Sequence, residues 1–229
     1  MLRDKIAIIP ARSGSKGLKD KNILDLCGKP IMAYSIIAGI DSGQFSRVIV
    51  STDSEYYADL ARLYHAEVMM RDESISNDSA STYSVIEDVL KKCQLLSDYF
   101  VLLQPTSPMR GSDHVKEAVA LFEENYDKFD FLVSVKEAEH AGVLVRPIDS
   151  DGSLKYFDAD FSNYKRQQYA EYSPNGAIFI GKVEAYLEQK HFFGRRAIAY
   201  KMNRVDSVDI DTELDYKLAK LCMEDRESE

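Results

Sequence analysis

Residues 5–22 of the chain read KIAIIPARSGSKGLKDKN, and this stretch decides the fold. An apolar run ends at Pro10, and the eleven residues after Ala11 include two glycines, three lysines and one arginine. Glycines let backbone N–H groups approach a ligand closely, and cationic side chains attract a polyanion. A buried strand followed by such a loop is how α/β proteins hold phosphate groups at the carboxyl end of a sheet. The stretch therefore predicts an α/β fold that binds phosphate.

Length and charge limit the class of protein. A chain of 229 residues can form one large α/β domain, and we expect a single domain over residues 1–229. The net charge of −9 argues against a general nucleic-acid-binding protein, because such proteins neutralise phosphates with cations. The first 21 residues carry six Lys or Arg and two acids, whereas residues 206–229 carry nine acids and three bases. A basic loop facing an acidic cluster suits a metal–triphosphate complex.

The cellular location is predicted from the cysteines and from the absence of apolar segments. Cys27, Cys93 and Cys222 are scattered and form neither a disulfide framework nor a metal-binding spacing. No apolar run is long enough to cross a membrane, and the amino terminus has no signal-peptide core. We therefore expect a cytoplasmic protein with no nucleic-acid partner and no membrane partner.

Short apolar runs alternate with longer amphipathic runs, which predicts a mostly parallel sheet flanked by helices. The predicted strands are Lys5–Pro10, Arg47–Ser51, Glu67–Met70, Tyr99–Leu103, Phe131–Val135, Ala177–Gly181 and Ala197–Lys201. The predicted helices are Pro30–Ile40, Glu55–Tyr64, Ser81–Lys92, Asp113–Asn125 and Thr212–Cys222. Residues 140–175 break this alternation. Strand-like pieces at Val143–Arg146 and Leu154–Phe157 predict a small β-rich arm inserted there.

Two groups of carboxylates are candidates for function, each with a structural alternative. In Asp209-Ile210-Asp211, side chains two residues apart project to the same face of a strand, so both carboxylates can converge on Mg²⁺ or Mn²⁺. The alternative is that Asp211 caps the following helix. Asp53 follows another predicted strand, where it either supports the site from behind or caps the helix beginning at Glu55.

The glycine-rich loop excludes two common nucleotide-binding patterns and resembles a third. It matches neither Gly-x-x-x-x-Gly-Lys-Ser/Thr nor Gly-x-Gly-x-x-Gly, which disfavours an ATPase or a dinucleotide-dependent dehydrogenase. Residues 9–22, Ile-Pro-Ala-Arg-x-Gly-Ser-Lys-Gly-Leu-x-x-Lys-Asn, resemble the opening motif of the acylneuraminate cytidylyltransferases, the CMP-sialic acid synthetases. The CMP-Kdo synthetases resemble it more weakly. Residues 103–110, 166–177 and 209–211 also resemble motifs of the acylneuraminate enzymes, in the same order.

The resemblance implies a Rossmann-like nucleotidyltransferase fold and a homodimer with a shared active site, formed through the β-rich arm. It implies that Asp209 and Asp211 bind the metal. The residues expected to contact CTP are Ala11, Arg12, Asn22, Arg71, Ser81 and Thr82. The residues expected to carry catalysis are Arg12, Lys16, Lys21 and Asp211. The acceptor, a nine-carbon keto-sugar acid, is expected to contact Gln104, Thr106, Ser107, Arg166 and Asn175, with Phe192 and Phe193 reaching from the partner subunit. By residue type alone, Phe192 and Phe193 would instead form a core pair, which is the alternative.

The expected reaction is transfer of CMP from CTP to the anomeric hydroxyl of N-acetylneuraminate, with release of pyrophosphate. Either Lys21 or a water near the metal would remove the hydroxyl proton. His140-Ala141-Gly142 and Ser173 depart from the family pattern on the sugar side, so a related nonulosonic acid (legionaminic, pseudaminic or deaminated) is the alternative acceptor. A non-catalytic nucleotide-binding homologue is the alternative from a different functional class.

Overall fold

A computed structural model of the chain describes residues 4–15, 17–72, 75–76, 81–94, 98–162 and 170–228. The strands, in chain order, are β1 (Lys5–Pro10), β2 (Asp25–Leu26), β3 (Lys29–Pro30), β4 (Arg47–Thr52), β5 (Glu67–Met70), β6 (Tyr99–Leu103), β7 (Phe131–Glu137), β8 (Tyr172–Lys182) and β9 (Ala197–Lys201). The large sheet has the order β5-β4-β1-β6-β8-β7-β9. Strand β8 is antiparallel to both of its neighbours, and the remaining pairs are parallel. The predicted mostly parallel sheet is confirmed.

Helices cover both faces of this sheet. They are α1 (Ile31–Asp41), α2 (Glu55–Leu63), α3 (Thr82–Lys92), α4 (Ser112–Glu124), α5 (Val183–Gln189) and α6 (Glu213–Ser228). Helices α1, α2 and α4 pack on one face, and α3 and α5 pack on the other. Strand β1 shows why both layers form, because its alternate residues are buried on opposite faces. None of the helices in the described part of the chain is long and apolar enough to span a membrane.

A small hairpin that the sequence analysis missed connects the loop after β1 to helix α1. Strands β2 and β3 pair antiparallel across a two-residue turn, in which Cys27 and Gly28 have φ values of 49° and 81°. Positive φ at both turn residues matches the twist of a tight hairpin, and glycine adopts it without strain. Helix α6 packs against this hairpin through Ala219 and Met223. The hairpin therefore supports the carboxyl-terminal helix beside the loop.

The topology brings distant loops to one edge of the sheet. The parallel strands β1, β4, β5 and β6 all end at this edge, and β8 begins there because it runs in the opposite direction. The segment before α6 returns to the same edge, where the Ile210 N–H donates to the Thr106 carbonyl at 2.8 Å. We call this the carboxyl edge. It is where ligands bind in open α/β sheets.

The predicted β structure in residues 140–175 is mostly wrong. Gly142–Leu144 form a 3₁₀ turn, and neither Val143–Arg146 nor Leu154–Phe157 is a strand. The intervening Asp149-Ser-Asp-Gly-Ser sequence favours a turn, in which the Asp149 N–H donates to the Ser153 carbonyl at 3.2 Å. Val145, Ile148 and Leu154 are exposed, so their apolar side chains form no buried layer. The role of these residues as a dimerisation arm stays a prediction.

Candidate active site

A cleft of about 590 Å³ lies at the carboxyl edge. The predicted site residues that line it are Arg12, Lys21, Asn22, Arg71, Thr82, Gln104, Thr106 and Asp211. They come from five separate segments, which the parallel strands bring together at their ends. The sequence analysis missed Ser15 and Thr212, which also line the cleft. The predicted catalytic Lys16 and the predicted sugar-binding Arg166 fall outside the described residues.

Two carboxylates hold the loop of residues 11–22, which we call the phosphate loop, in shape. They are Asp53, which follows β4, and Asp20, which belongs to the loop itself. The Asp53 carboxylate accepts hydrogen bonds from the Ser13 N–H at 2.8 Å and from the Ser13 hydroxyl at 3.0 Å. The Asp20 carboxylate accepts from the Gly14 N–H at 3.2 Å and from the Tyr57 hydroxyl at 3.4 Å. These bonds fix the first turn of the loop, which orients the loop before any ligand binds.

The alternative in which Asp53 caps a helix is wrong. Ser54 is the residue before α2, and its hydroxyl accepts from the Tyr57 N–H at 3.4 Å. Asp53 instead contacts the phosphate loop, forty positions earlier in the chain. Asp53 therefore supports the backbone of the phosphate loop, and its charge also acts on Arg71 in the wall of the cleft. A local pattern could not reveal this long-range contact.

Two further residues of the phosphate loop differ in what they can offer a ligand. Asn22 is buried, its amide nitrogen donates to the Arg12 carbonyl at 3.0 Å, and its Oδ1 has no hydrogen-bond partner. A buried unpaired acceptor is costly, so Asn22 Oδ1 is suited to a donor on a ligand. Ala11 is fully buried and its N–H donates to the Ser51 carbonyl at 2.9 Å. The Ala11 side chain therefore lies beneath the cleft and does not line it.

Arg71 and α3 form the wall of the cleft beyond β4. The Arg71 guanidinium donates to the Ser51 hydroxyl at 2.9 Å and to the Ser51 carbonyl at 2.8 Å. Burial lowers the pKa of Arg71 to about 10, so it remains a cation at neutral pH. Thr82 lines the cleft at the start of α3. Ser81 caps that helix, because its hydroxyl accepts from the Ser84 N–H at 3.1 Å.

The turn that follows β6 is built around a buried arginine. Arg110 is 1% exposed and donates to the Ser35 hydroxyl at 2.7 Å and to the Gln104 carbonyl at 3.2 Å. Its guanidinium thereby fixes the backbone of the turn while the Gln104 side chain lines the cleft. Ser107, a predicted sugar contact, is fully buried and its hydroxyl has no partner. The role of Arg110 was missed, since nothing in the sequence distinguishes a buried arginine from an exposed one.

Asp209 and Asp211, which we call the acidic pair, lie next to the phosphate loop, and Asp211 lines the cleft. Lys21 Nζ contacts Asp211 Oδ1 at 2.6 Å and the Ile210 carbonyl at 3.0 Å. Burial raises the pKa of the Asp209 carboxyl, and the nearby negative charge of Asp211 acts in the same direction. The Thr106 hydroxyl bonds to Asp209, whose Oδ1 is buried without a partner. The two carboxylates are therefore close enough to affect each other, although residues 209–211 do not form the strand from which their convergence was predicted.

The alternative in which Asp211 caps α6 is wrong, because the cap is the next residue, Thr212. Thr212 caps the helix, because its hydroxyl accepts from the Asp215 N–H at 3.3 Å. In return the Asp215 carboxylate accepts from the N–H groups of Thr212, at 2.7 Å, and Asp211, at 3.2 Å. The pattern Thr-x-x-Asp is a capping box and was readable in the sequence. With the cap supplied by Thr212, the Asp211 carboxylate points to Lys21.

The phosphate loop and the acidic pair touch directly at Gly17. A Cβ at this position would lie 2.9 Å from the Asp211 carbonyl oxygen, closer than real Cβ contacts. Any residue other than glycine would therefore push the loop away from the acidic pair. Because Gly17 lies between Lys21 and the amino-terminal part of the loop, its small size keeps the cations of the loop next to the carboxylates.

The acidic pair has the donor chemistry for Mg²⁺, which takes oxygen ligands and commonly one or two carboxylates plus phosphate. The buried and unpartnered Oδ1 of Asp209 fits this interpretation, since a cation would satisfy it. Within the ranges that the structure describes, no three His, Cys, Asp or Glu residues cluster as a metal site. Asp209 and Asp211 would therefore supply two ligands of the metal, and oxygens of water or of a bound ligand would supply the others.

The Asn175 side chain is buried, and its hydrogen bonds are made within the protein. Its amide donates to the Ser207 hydroxyl at 2.8 Å, and its Oδ1 accepts from the Ser134 hydroxyl at 2.5 Å and from the Ala177 N–H at 3.2 Å. These bonds join β7, β8 and the segment leading to Asp209. A direct contact between the Asn175 side chain and a substrate would break one of them, so the structure favours a positioning role.

Phe192 and Phe193 lie far from the cleft. They follow α5, which begins where β8 ends, at the opposite edge of the sheet from the cleft. Phe192 is buried among Phe100, Phe179 and Tyr186. The expectation that Phe192 reaches toward a sugar is therefore wrong, because its ring is part of the core. Phe193 is 48% exposed and could contact a sugar only in the site of another subunit.

Comparison with known proteins gives consistent results. A family model for cytidylyltransferases matches residues 6–225. The chain is 47% identical to the N-acylneuraminate cytidylyltransferase of Escherichia coli O18:K1:H7 over 93% of this chain and 51% of the relative. It is 43% identical to the N-acylneuraminate cytidylyltransferase of Streptococcus agalactiae serotype III over 92% of this chain and 51% of the relative. The chain thus spans about half the length of these curated relatives.

A third relative has a length similar to that of this chain. The CMP-N,N'-diacetyllegionaminic acid synthase of Legionella pneumophila is 34% identical, with 96% of both chains covered. A solved structure of CMP:2-keto-3-deoxy-manno-octonic acid synthetase complexed with CTP matches with a TM-score of 0.73 at 15% identity. That match covers 97% of this chain and 99% of the solved one, and at this identity it supports a shared fold alone.

Proposed function

The chain belongs to the cytidylyltransferase family, and from that premise we propose that it transfers CMP from CTP to the anomeric hydroxyl of N-acetylneuraminate. In this reaction the hydroxyl oxygen attacks the α-phosphorus of CTP, the bond to the bridging oxygen breaks, and pyrophosphate leaves. The single observation that carries the proposal is the contact between the cationic phosphate loop and the acidic pair, at 2.6 Å between Lys21 and Asp211. Cations for a triphosphate and carboxylates for its metal thus share one cleft.

The phosphate loop supplies the charges that the triphosphate requires. Arg12 and Lys21 line the cleft, and Lys16 belongs to the same loop in the sequence. Negative charge builds up on the pyrophosphate as it leaves, so fixed cations stabilise the transition state more than the bound substrate. Because Asp53 and Asp20 hold the loop in place beforehand, little reorganisation is needed. Lys21 contacts a carboxylate, which favours its role as a cation over a role as a base.

The end of the cleft that would hold the nucleoside has hydrogen-bonding groups that suit a pyrimidine base. Asn22 Oδ1 is an unpaired acceptor, and the Arg71 guanidinium provides donors in the same cleft. A cytosine ring carries both an amino donor and carbonyl-type acceptors, so it can bond to both residues. Thr82 offers a hydroxyl at the same wall. The donors and acceptors at this end of the cleft are therefore compatible with a cytosine base.

Asp209 and Asp211 would hold a Mg²⁺ ion together with the triphosphate. When bound, the ion would neutralise charge on the phosphate oxygens and orient them for in-line attack. The residues of the chain do the remaining work. Thr106 bonds to Asp209 and so orients its carboxylate, and Arg110 fixes the turn that carries Gln104 toward the acceptor side of the cleft.

The choice of acceptor rests on the relatives. The identity is higher to the N-acylneuraminate enzymes, at 47%, than to the legionaminic acid enzyme, at 34%. However, the legionaminic acid enzyme matches along its whole length, whereas the N-acylneuraminate enzymes match over half of theirs. A legionaminic-type acid is therefore the second candidate acceptor. The retained charges of Arg12, Asp209 and Asp211 argue against a non-catalytic homologue, which has no need for them.

One experiment tests the nucleotide and the acceptor together. The chain is incubated with Mg²⁺, all four nucleoside triphosphates and a mixture of N-acetylneuraminate, legionaminate, pseudaminate and a deaminated acid, and products are identified by mass spectrometry. We expect CMP-N-acetylneuraminate to dominate and EDTA to abolish it. If another CMP-sugar dominated, the proposed acceptor would be wrong and the proposed reaction would stand. The absence of any CMP-sugar, with no pyrophosphate released, would refute the proposal.

In the proposed enzyme, two subunits form a homodimer and share each active site through Phe193. The observation that favours this is the exposure of Phe193 at the edge of the sheet opposite to the cleft. A mixture of the Phe193→Ala and Asp209→Asn variants tests it, because a heterodimer would contain one cleft with an intact Asp209 and a partner Phe193. We expect the mixture to exceed the summed activity of the separate variants, and light scattering to give the mass of a dimer. A monomer, or no gain on mixing, would contradict sharing.

A further inference from the structure

Lys21 occupies the place next to the acidic pair where a cation is required. Its Nζ lies 2.6 Å from Asp211 Oδ1 and 3.0 Å from the Ile210 carbonyl, and only 18% of the side chain is exposed. The ammonium group therefore bonds two oxygens of the segment that would bind a metal. Lys21 was assigned above to the triphosphate, and within the described part of the chain its hydrogen bonds go to Asp211 and Ile210.

A divalent cation and the Lys21 ammonium compete for Asp211. A metal ligated by Asp211 Oδ1 would lie within a few ångströms of Nζ, where two positive charges repel each other. Lys21 must then give up its bond to Asp211. Among the described residues, Lys21 makes one other hydrogen bond, to the Ile210 carbonyl, and the charges of Asp209 and Asp215 also act on it. Metal binding to the free protein thus costs the Lys21–Asp211 ion pair without a replacement.

A triphosphate changes this balance, because it offers Lys21 new anionic oxygens within the same cleft. Lys21 and Asp211 both line that cleft. Lys21 can then move from Asp211 to the phosphates, and Asp211 becomes available for the metal that accompanies them. By thermodynamic linkage, the nucleotide that favours metal binding is itself bound more tightly when the metal is present.

We propose that Lys21 is an exchangeable counter-ion that keeps the metal site closed until a nucleotide arrives. This inference rests on the proposed function, in which a metal–nucleotide complex binds in the cleft. The inference predicts an effect that is unusual for a catalytic lysine, because removal of Lys21 should increase the affinity for one ligand. In the free protein, loss of the Lys21 charge should tighten the binding of a divalent cation, even though the same loss impairs catalysis.

The test measures binding of Mn²⁺ alone to the full chain, without nucleotide, from the loss of the free Mn²⁺ signal in electron paramagnetic resonance. We expect Lys21→Gln to bind Mn²⁺ about tenfold more tightly than the wild type, since the ion pair is partly exposed and its effect is screened. Lys21→Arg should behave as the wild type because it keeps the charge. Lys182→Gln is the matched control, because Lys182 also pairs with an aspartate, Asp130 at 2.9 Å, at the opposite edge of the sheet.

The outcomes separate clearly. Equal or weaker Mn²⁺ binding by Lys21→Gln would overturn the inference, as would tighter binding by Lys21→Arg or by Lys182→Gln. The absence of Mn²⁺ binding by Lys21→Gln would overturn it as well. The product assay of the wild type, run on the same preparation, reports on the proposed function alone. Turnover by the wild type with unchanged Mn²⁺ binding by Lys21→Gln would therefore refute the counter-ion role and leave the function intact.

A second pair of variants gives an independent test in case Lys21→Gln does not fold. In EDTA, Asp211→Asn should bind CTP more tightly than the wild type in titration calorimetry, because it releases Lys21 toward the phosphates. Asp209→Asn is the control, since it removes the same negative charge from the cleft and does not free Lys21. We expect a severalfold greater gain for Asp211→Asn than for Asp209→Asn. Equal gains, or a loss for Asp211→Asn, would overturn the inference.

Discussion

The two halves of the large sheet differ in where their polar groups point, toward the cleft in one half and into the protein in the other. In the first half-sheet, formed by β1, β4, β5 and β6, parallel strands end in loops whose polar groups face the cleft. In the second half-sheet, formed by β7, β8 and β9, the antiparallel β8 carries polar side chains that bond to the protein itself, as Asn175 does. The first half-sheet therefore presents its polar groups to a ligand, whereas the second uses them to hold the acidic pair in place.

This difference predicts where changes affect chemistry and where they affect stability. Substitutions at the ends of the first half-sheet should alter nucleotide binding and turnover. Substitutions in the second half-sheet should act mainly through folding, because the side chains there are buried in internal contacts. The acidic pair lies between the two, since Ile210 bonds to Thr106 of the first half-sheet and Ser207 bonds to Asn175 of the second.

The largest effect should come from Asp209→Asn. Loss of a metal-binding carboxylate should lower turnover about a thousandfold, which corresponds to about 4 kcal/mol. The fold should persist, because Asn keeps the shape and the buried Oδ1 of Asp209 makes no bond to the protein. Pyrophosphate release and thermal unfolding measure the two quantities separately. Asp98→Asn is the control, because Asp98 bonds to the Asp4 N–H at the opposite edge. Near-normal turnover by Asp209→Asn would remove the acidic pair from the mechanism.

The next largest effect should be on stability, from Phe192→Ala. The Phe192 ring packs against Phe100, Phe179 and Tyr186, with centroid distances of 5.9, 5.0 and 4.7 Å. Removal of the ring should lower the free energy of unfolding by about 3 kcal/mol, measured by chemical denaturation. Phe193→Ala is the matched control in the neighbouring, half-exposed residue, and its stability should stay within about 0.5 kcal/mol of the wild type. Equal losses in the two variants would contradict the core position of Phe192.

The same contrast explains how much the sequence could predict. The strands β1, β5, β6 and β9 were predicted with the observed bounds, because each combines a continuous apolar run with flanking turn residues. The loop after β1 followed from a contiguous motif, whereas Arg71, Thr82 and Gln104 were expected only from the family resemblance. Parallel strands bring all of them to one edge of the sheet. Local sequence was therefore sufficient for the loop and insufficient for the rest of the cleft.

The failures involve contacts between distant residues. The apolar residues of Val143–Arg146 suggested a strand, but no neighbouring strand pairs with them, and pairing cannot be read from one segment. The choice between the two roles of Asp53, support of the site or helix cap, could not be made from the sequence, because its partner, Ser13, lies in another loop. Residue type alone favoured a core position for Phe192, which the structure has, whereas the family resemblance placed it at the sugar site of the partner subunit.

A smaller effect should come from Asp53, which tests whether the phosphate loop must be held in shape. Asp53→Ala removes both acceptors for Ser13 and should raise the KM for CTP about tenfold, equivalent to about 1.4 kcal/mol, with a smaller change in kcat. Asp53→Asn keeps one acceptor oxygen for the Ser13 N–H and should recover most of the loss. Steady-state kinetics with CTP varied at saturating acceptor measure both. If Asp53→Asn were as impaired as Asp53→Ala, the negative charge and not the hydrogen bonds would be required.

The smallest effect should appear in the pH dependence of stability, through the contacts that anchor the segment before the acidic pair. His114 Nδ1 accepts from the Gly111 N–H at 3.1 Å, and its Nε2 lies 3.2 Å from Asp206. Burial lowers the pKa of His114, with the charge of Glu117 acting in the opposite direction. The folded protein therefore favours the neutral ring, whereas the unfolded chain binds a proton at a pKa of about 6.5.

It follows that the stability contributed by the neutral His114 ring is present above about pH 6.5 and is lost as the pH falls below that value. Protonation would also place a hydrogen on Nδ1, where the Gly111 N–H now donates, and so weaken the start of α4. Denaturation midpoints at pH 7.5, 6.5 and 5.5 should fall less steeply for His114→Gln than for the wild type. His140→Gln, a change at an exposed histidine, should retain the wild-type slope. If His114→Gln kept the wild-type dependence of stability on pH, the acid sensitivity would arise elsewhere. The contacts of the segment before the acidic pair would then not depend on the charge of the His114 ring.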